Sequence, residues 1–264
     1  MKVHEKFQKK KTPYLILGSF FCLLLGIMLA VLPKIYGPAT MVKMEFGYWA
    51  HAADMAGMDW KETVSLNTWY SYGYGLLIFP FMKMFSNPLI AYRCMVAVNF
   101  ILLGICIFIV YKLLMLIFTD MKAWIAAFIS GSSICYVSYI TYAQTTIPEV
   151  LLTFLYLLTA YGLYRWFKYQ ELWSGLLVIM ASWYMYTVHM RTIGIFLATV
   201  VCMSVATLFR TERKNVQKTA LIVLSIAALT VVLIFLAGVI KENAISSVVS
   251  EQYGKKVSVN DYSG

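Results

Sequence analysis

Charge is scarce in this chain. Only 13% of its 264 residues are Asp, Glu, Lys or Arg, and only 12 are acidic. A typical soluble domain carries about 25% charged residues, and a chain with so few cannot cover a water-facing surface. Intrinsic disorder needs the opposite composition. Cysteine is sparse too. Cys22, Cys94, Cys106, Cys135 and Cys202 all lie in apolar stretches without paired spacing. That excludes a disulfide scaffold or a cysteine metal site and makes them small core hydrophobes. No phosphate-binding G-x-x-x-x-G-K-[ST], no G-x-G-x-x-G, no H-E-x-x-H, no G-x-S-x-G and no D-x-D occurs. Soluble-type nucleotide hydrolysis and zinc proteolysis therefore have no support. Neither a solenoid period nor an inverted repeat is visible.

What is present is apolar: 61% of the residues are hydrophobic, and the mean hydropathy is +0.74. The solvent of such a chain is largely lipid. The net charge of +10 fits this reading better than it fits nucleic acid, because Lys and Arg collect in cytoplasmic loops of membrane proteins.

Seven apolar runs are long enough to cross a bilayer of about 30 Å. They are Tyr14 to Ile35, Leu89 to Phe118, Ala123 to Thr141, Glu149 to Phe167, Leu172 to Val188, Thr192 to Phe209 and Thr219 to Ile240. The first follows Lys9, Lys10 and Lys11 and has no clear cleavage site. It reads as an uncleaved helix with its N-terminus in the cytoplasm. Lys112, Lys122, Arg165, Lys168, Arg210, Arg213, Lys214 and Lys218 then fall in links on the same side, whereas the opposite short links hold Arg191.

That asymmetry puts the stretch 36–88 outside as a long first loop. It holds Glu45, Asp54, Asp59 and Glu62, and Gly37, Pro38, Gly73 and Gly75 break it. Met44 to Met58 reads as an amphipathic helix with Tyr48, Ala52 and Met55 on one side. Tyr72 to Phe85, interrupted by Pro80, is too short for an ordinary span and reads as interfacial or re-entrant. Trp49, Trp60, Trp69, Tyr70, Tyr72 and Tyr74 suit the headgroup level. The fold expected is an all-α polytopic membrane protein, with a transmembrane module over 1–240. The polar stretch 241–264 reads as the opening of a truncated outer segment.

Two carboxylates fall on the outer side, Glu45 past the first span and Glu149 directly after Pro148. Singly, a solvated loop acid and a helix N-terminal acid explain them. Together over an apolar floor they point to function. His189 and Arg191, in the turn between the fifth and sixth spans, read either as an interfacial anchor or as a phosphate clamp. Arg93 could serve likewise, and His51 reads as an exposed helix residue. A carboxylate can act as general base on a hydroxyl, a cation can stabilise a departing phosphate, and an apolar floor can hold a polyprenyl chain. Sugar transfer from a lipid phosphate needs those three parts.

At this point the chain resembles the N-terminal module of the GT-C membrane glycosyltransferases, in the branch of protein O-mannosyltransferases and lipid A aminoarabinose transferases. Glu45 to Ala53 is similar to that family's D-E-x-x-Y-x-x-x-A stretch, and Gly57-Met58-Asp59-Trp60 to its G-D-W-like turn. Tyr70 to Phe85, Ala91-Tyr92-Arg93 and Glu149 to Phe154 resemble the segments that follow. The resemblance implies catalytic roles for Glu45 and Glu149, and substrate-binding roles for Arg191, His189, Arg93 and Tyr48. It implies a polyprenyl-phosphate-linked sugar as donor, a glycan, lipid or protein acceptor, and a bacterial plasma membrane. Some members use a divalent metal, but no ligand set here demands one. Met44 stands where many members carry Asp, which leaves open an enzyme relying on Glu45 or a non-catalytic scaffold. The other alternative is a transporter or flippase of lipid-linked glycans, which would need polar or charged residues within the spans, and few are there: Arg93, Lys112 and Glu149 all lie near ends.

Overall fold

A computed structural model describes residues 2–38, 42–66, 71–210 and 216–243. Among these residues every regular element is helical. In order they are α1 (Lys2–Val31), a 3-10 turn (Leu32–Lys34), α2 (Val42–Met55), α3 (Lys61–Leu66), α4 (Tyr72–Met84), α5 (Pro88–Ile117), α6 (Ala123–Ile134) and α7 (Val137–Ala143). There follow α8 (Glu149–Tyr169), α9 (Leu172–Val188), a second 3-10 turn (Met190–Thr192), α10 (Ile193–Arg210) and α11 (Val216–Lys241). Trp69, Tyr70, Arg213, Lys214 and the tail from 244 lie outside the described residues.

Five helical stretches are long and apolar enough to cross a membrane: Lys11–Lys34, Pro88–Ile117, Glu149–Tyr169, Met190–Phe209 and Leu224–Lys241. A sixth arises if α6 and α7 count as one broken span, and α9 is a shorter apolar helix. Their large side chains point outward in number: Leu29 is 66%, Phe209 86% and Phe235 72% exposed. Such surfaces are stable only against lipid or another apolar partner. The protein is a membrane-embedded helical protein.

The run Ala123 to Thr141 is not one straight helix. It bends by 55° between α6 and α7. Ser130, Ser132 and Ser133, on either side of Gly131, donate their hydroxyls back to the carbonyls of Ala126, Phe128 and Ser130. Back-bonding of this kind beside a glycine weakens the helical ladder and favours a kink. Pro80, by contrast, does not end its segment, since α4 continues through it to Met84.

Two compact units divide the chain: 1–40 with 87–157, and 41–86 with 158–264. In the first, α1 packs on α5 and α6. Phe21 lies over Gly104 and Phe20 over Gly131, so closely that a Cβ on either glycine would overlap a ring. Small residues that admit a neighbour in this way are the usual device of helix packing in lipid. Asn87 caps α5, accepting from the Leu89 N–H at 2.9 Å, with Pro88 in the first turn. That pairing satisfies one orphan donor and loses none.

The second unit has a core of Trp166, Val178, Ile179, Phe196, Met203 and Leu233 from α8 to α11. Its other part is α2 to α4. Helix α2 ends in a Schellman cap. The Met58 N–H donates to Ala53 O at 3.0 Å and the Gly57 N–H to Asp54 O at 2.9 Å, with Gly57 at φ +83°. Left-handed backbone costs an L-residue about 1–2 kcal/mol, and nothing lies within 4 Å of a Cβ built there. Gly57→Ala is therefore expected to lower stability by about that amount, and Gly57→Asn by less. Melting in detergent measures both, and an Ala variant as stable as the parent would refute the backbone argument.

Candidate functional site

Helix α2 is not a half-buried interfacial helix. Glu45 and Ala50 are 0%, His51 3%, Tyr48 5% and Trp49 8% exposed, and over the described stretch 44–53 only Met44 and Phe46 are open. Burial on most of its circumference follows from two partners, α3 and α4. Tyr48 meets Tyr74 of α4 edge to face, with centroids 5.2 Å apart. Gly75 lies against His51 and Met55, since a Cβ there would sit 3.1 Å from His51 Cβ. His51 is thus a buried packing residue and not an exposed one.

Helix α4 also grips α9. Ser71 donates its hydroxyl to Thr187 O, and the Tyr184 hydroxyl donates to Gly73 O at 3.0 Å. A Cβ on Gly73 would fall 2.5 Å from the Thr187 carbonyl carbon. Gly73 and Gly75 therefore act as points of close approach inside a helix, one toward α9 and one toward α2, and not as breakers. Tyr72 is 4% exposed and its hydroxyl meets no hydrogen-bond partner among the described residues. Burial, with Tyr186 nearby, pushes its pKa up to about 12, so the hydroxyl stays protonated.

Two residues beyond Thr187 the chain enters the His189–Arg191 turn. His189 Nδ1 accepts from the Arg191 backbone N–H at 3.3 Å and caps the 3-10 turn. That bond needs Nδ1 unprotonated. Burial, and secondarily the Arg191 cation, hold the imidazole pKa below its ordinary value. The stabilisation is therefore complete above the ordinary histidine pKa of about 6.5 and is lost as pH falls through the lower folded value. Acid-side melting is expected to drop across that window in the parent and to be flatter in His189→Gln. Equal pH profiles would sink the assignment.

The Arg191 side chain is exposed and pairs with no carboxylate among the described residues. Lys241, at the end of α11, donates to Met190 Sδ at 3.0 Å. Folding thus adds a second cation beside the His189–Arg191 turn. Spacing in sequence gives no hint of it, because some fifty residues separate the two.

Arg93 and Glu149 belong to the other unit. The Arg93 Nε and Nη2 donate to Ile35 O at 3.0 and 2.8 Å, and Nη2 to Pro33 O at 3.2 Å. The guanidinium closes the carbonyl end of the 3-10 turn that follows α1, where a cation is favoured by the dipole. Glu149 opens α8, and its Oε2 is buried with no hydrogen-bond partner among the described residues. The link before it is held by Asn99, whose Nδ2 donates to Thr145 O at 2.7 Å. From Pro88 to Asn99 is about 16 Å of helix. The link thus sits beside the body of α5, not level with its first turn. Asn99 is itself fully buried, and its Oδ1 is unpaired among the described residues. The lone amide in a long apolar span was the available signal for it.

No group of three or more His, Cys, Asp or Glu that could hold a metal ion occurs among the described residues. No protein-family model, curated protein or solved structure matches this chain.

Proposed function

We propose that this protein is a GT-C-type glycosyltransferase that moves a sugar from a polyprenyl-phosphate donor to an acceptor hydroxyl on the outer face of a bacterial plasma membrane. Counting the α6–α7 pair and α9 with the five long helices gives seven crossings, with the N-terminus cytoplasmic and residues 36–88 outside. The observation that carries the reading is Glu149, whose buried Oε2 has no hydrogen-bond partner among the described residues. An unsatisfied carboxylate oxygen is costly and is retained where a reaction uses it. Glu45, fully buried on α2, supports it as the first acid.

In the proposed step the acceptor oxygen attacks the anomeric carbon as the carbon–oxygen bond to phosphate breaks. The acceptor proton passes to a carboxylate, and the electron pair leaves with the lipid phosphate. Glu45 is the base, with Glu149 as the second acid of the reaction. Arg191, joined by Lys241, takes the charge that develops on the phosphate. His189 holds the turn that carries Arg191, and Tyr48 lines the acidic helix.

A transfer assay on the full-length protein in lipid vesicles, with a panel of labelled polyprenyl-phosphate sugars, tests the reading. Transfer from at least one donor is expected, with Arg191→Ala raising the donor KM about tenfold or more, the scale of one lost charge-assisted contact. Movement of intact lipid-linked glycan across the bilayer with no bond cleaved would make it a flippase instead.

A further inference from the structure

We propose that the groove between the end of α1 and the first turns of α5 binds an anionic phospholipid of the surrounding bilayer, with its phosphate on Arg93. The groove has a volume of about 300 Å³ and is lined by Leu32, Pro33, Ile90, Arg93, Cys94 and Ala97. Arg93 is its only charged residue, and the other five present apolar surface. It lies where two candidate membrane spans end and begin, Lys11–Lys34 and Pro88–Ile117. Ile90 at its rim is 43% exposed.

The guanidinium is fixed in direction by its three bonds to the Pro33 and Ile35 carbonyls. Nη1 bonds none of the described residues, and no carboxylate among them pairs with Arg93. A preoriented cation with spare donors binds an anion at little ordering cost. Phosphate matches a guanidinium's donors best, and an acyl chain matches the remaining lining. The volume is at the lower end of small-ligand sites and its surface is almost wholly apolar, so it suits the first length of one acyl chain, with the phosphate at the guanidinium on its edge.

A polyprenyl-phosphate donor shares that chemistry. The groove, however, offers no carboxylate, imidazole or side-chain hydroxyl that could hold a sugar. It reads a phosphate and a chain alone, which is what a structural phospholipid presents. The inference stands apart from sugar transfer and needs only the membrane-embedded fold.

The test is native mass spectrometry of the full-length protein in detergent, with phosphatidylglycerol, phosphatidylcholine or polyprenyl phosphate added and no sugar present. Phosphatidylglycerol is expected to be retained at least fivefold better than phosphatidylcholine. Arg93→Gln should abolish that preference. Ala97→Phe fills the groove without touching the Arg93 bonds. It should lose phosphatidylglycerol at least tenfold at unchanged melting temperature, and it decides the matter if Arg93→Gln does not fold. Equal retention of the two phospholipids by the parent, undiminished binding by Ala97→Phe, or displacement of phosphatidylglycerol by equimolar polyprenyl phosphate would each overturn the proposal.

Discussion

Replacing Glu45 by Gln is expected to cut sugar transfer by about 10²- to 10⁴-fold, the usual worth of a general base, while the helical fold persists. Gln keeps the shape of Glu and removes only the ability to take a proton. Glu45 is 0% exposed on a helix packed by α3 and α4, so a bulkier or shorter replacement would confound packing with chemistry. Glu149→Gln is expected to lose activity in the same range. It should also be at least as stable as the parent, because an amide nitrogen removes a buried charge without changing volume. Rates should be read beside helical content and melting temperature. Full transfer by a folded Glu45→Gln protein would remove the base from the scheme. Labelling that puts either acid on the cytoplasmic side would remove that acid from the scheme.

Gly73→Ala is the second substitution with a large expected effect, and it does not depend on the proposed reaction. In a free helix Ala is better than Gly by about 1 kcal/mol. Against that, the new Cβ would stand 2.5 Å from the Thr187 carbonyl carbon and 2.6 Å from its oxygen. Backbone cannot yield as a side-chain tip can. Overpacking of this kind costs about 1–3 kcal/mol. Separating α4 from α9 would also loosen the bonds from Ser71 and Tyr184, each worth about 1 kcal/mol. The losses outweigh the propensity gain, and a net destabilisation of about 2 kcal/mol is expected. Gly75→Ala should cost less, because its nearest neighbours would be side-chain atoms of His51 and Met55 at 3.1 and 3.2 Å. Gly18→Ala should cost nothing, with no atom within 4 Å. Melting of the three variants in one detergent gives the order. A Gly73→Ala protein as stable as Gly18→Ala would show that the α4–α9 contact contributes nothing.

Hydropathy, period and charge were enough to locate most of the helices. The limits expected for Leu172–Val188 recur unchanged, and those for the second and fourth spans differ only at their ends. Such segments are legible because each must satisfy its own backbone in lipid, so length and apolarity are local properties. The kink after Ile134 was less legible. A serine in a helix can point outward or bond back to a carbonyl, and only the folded chain turns the hydroxyls of Ser130 and Ser132 onto the carbonyls of Ala126 and Phe128. The short helix Lys61–Leu66 carried no signal, since six residues are too few to show a period.

The candidate site divides in the same way. Sequence alone determined that the chain is apolar enough to live in lipid and that Glu45, Glu149, His189 and Arg191 are the costly residues worth watching, because a charge near hydrocarbon is expensive wherever the chain puts it. Tertiary structure alone decided what each of them touches. It buried Glu45 and His51 on a helix expected to be half exposed, turned Gly73 and Gly75 from breakers into contacts, spent most of Arg93 on the 3-10 turn after the first helix, and brought Lys241 to Met190. Those outcomes depend on partners far apart along the chain, and no local pattern encodes a partner that only packing supplies.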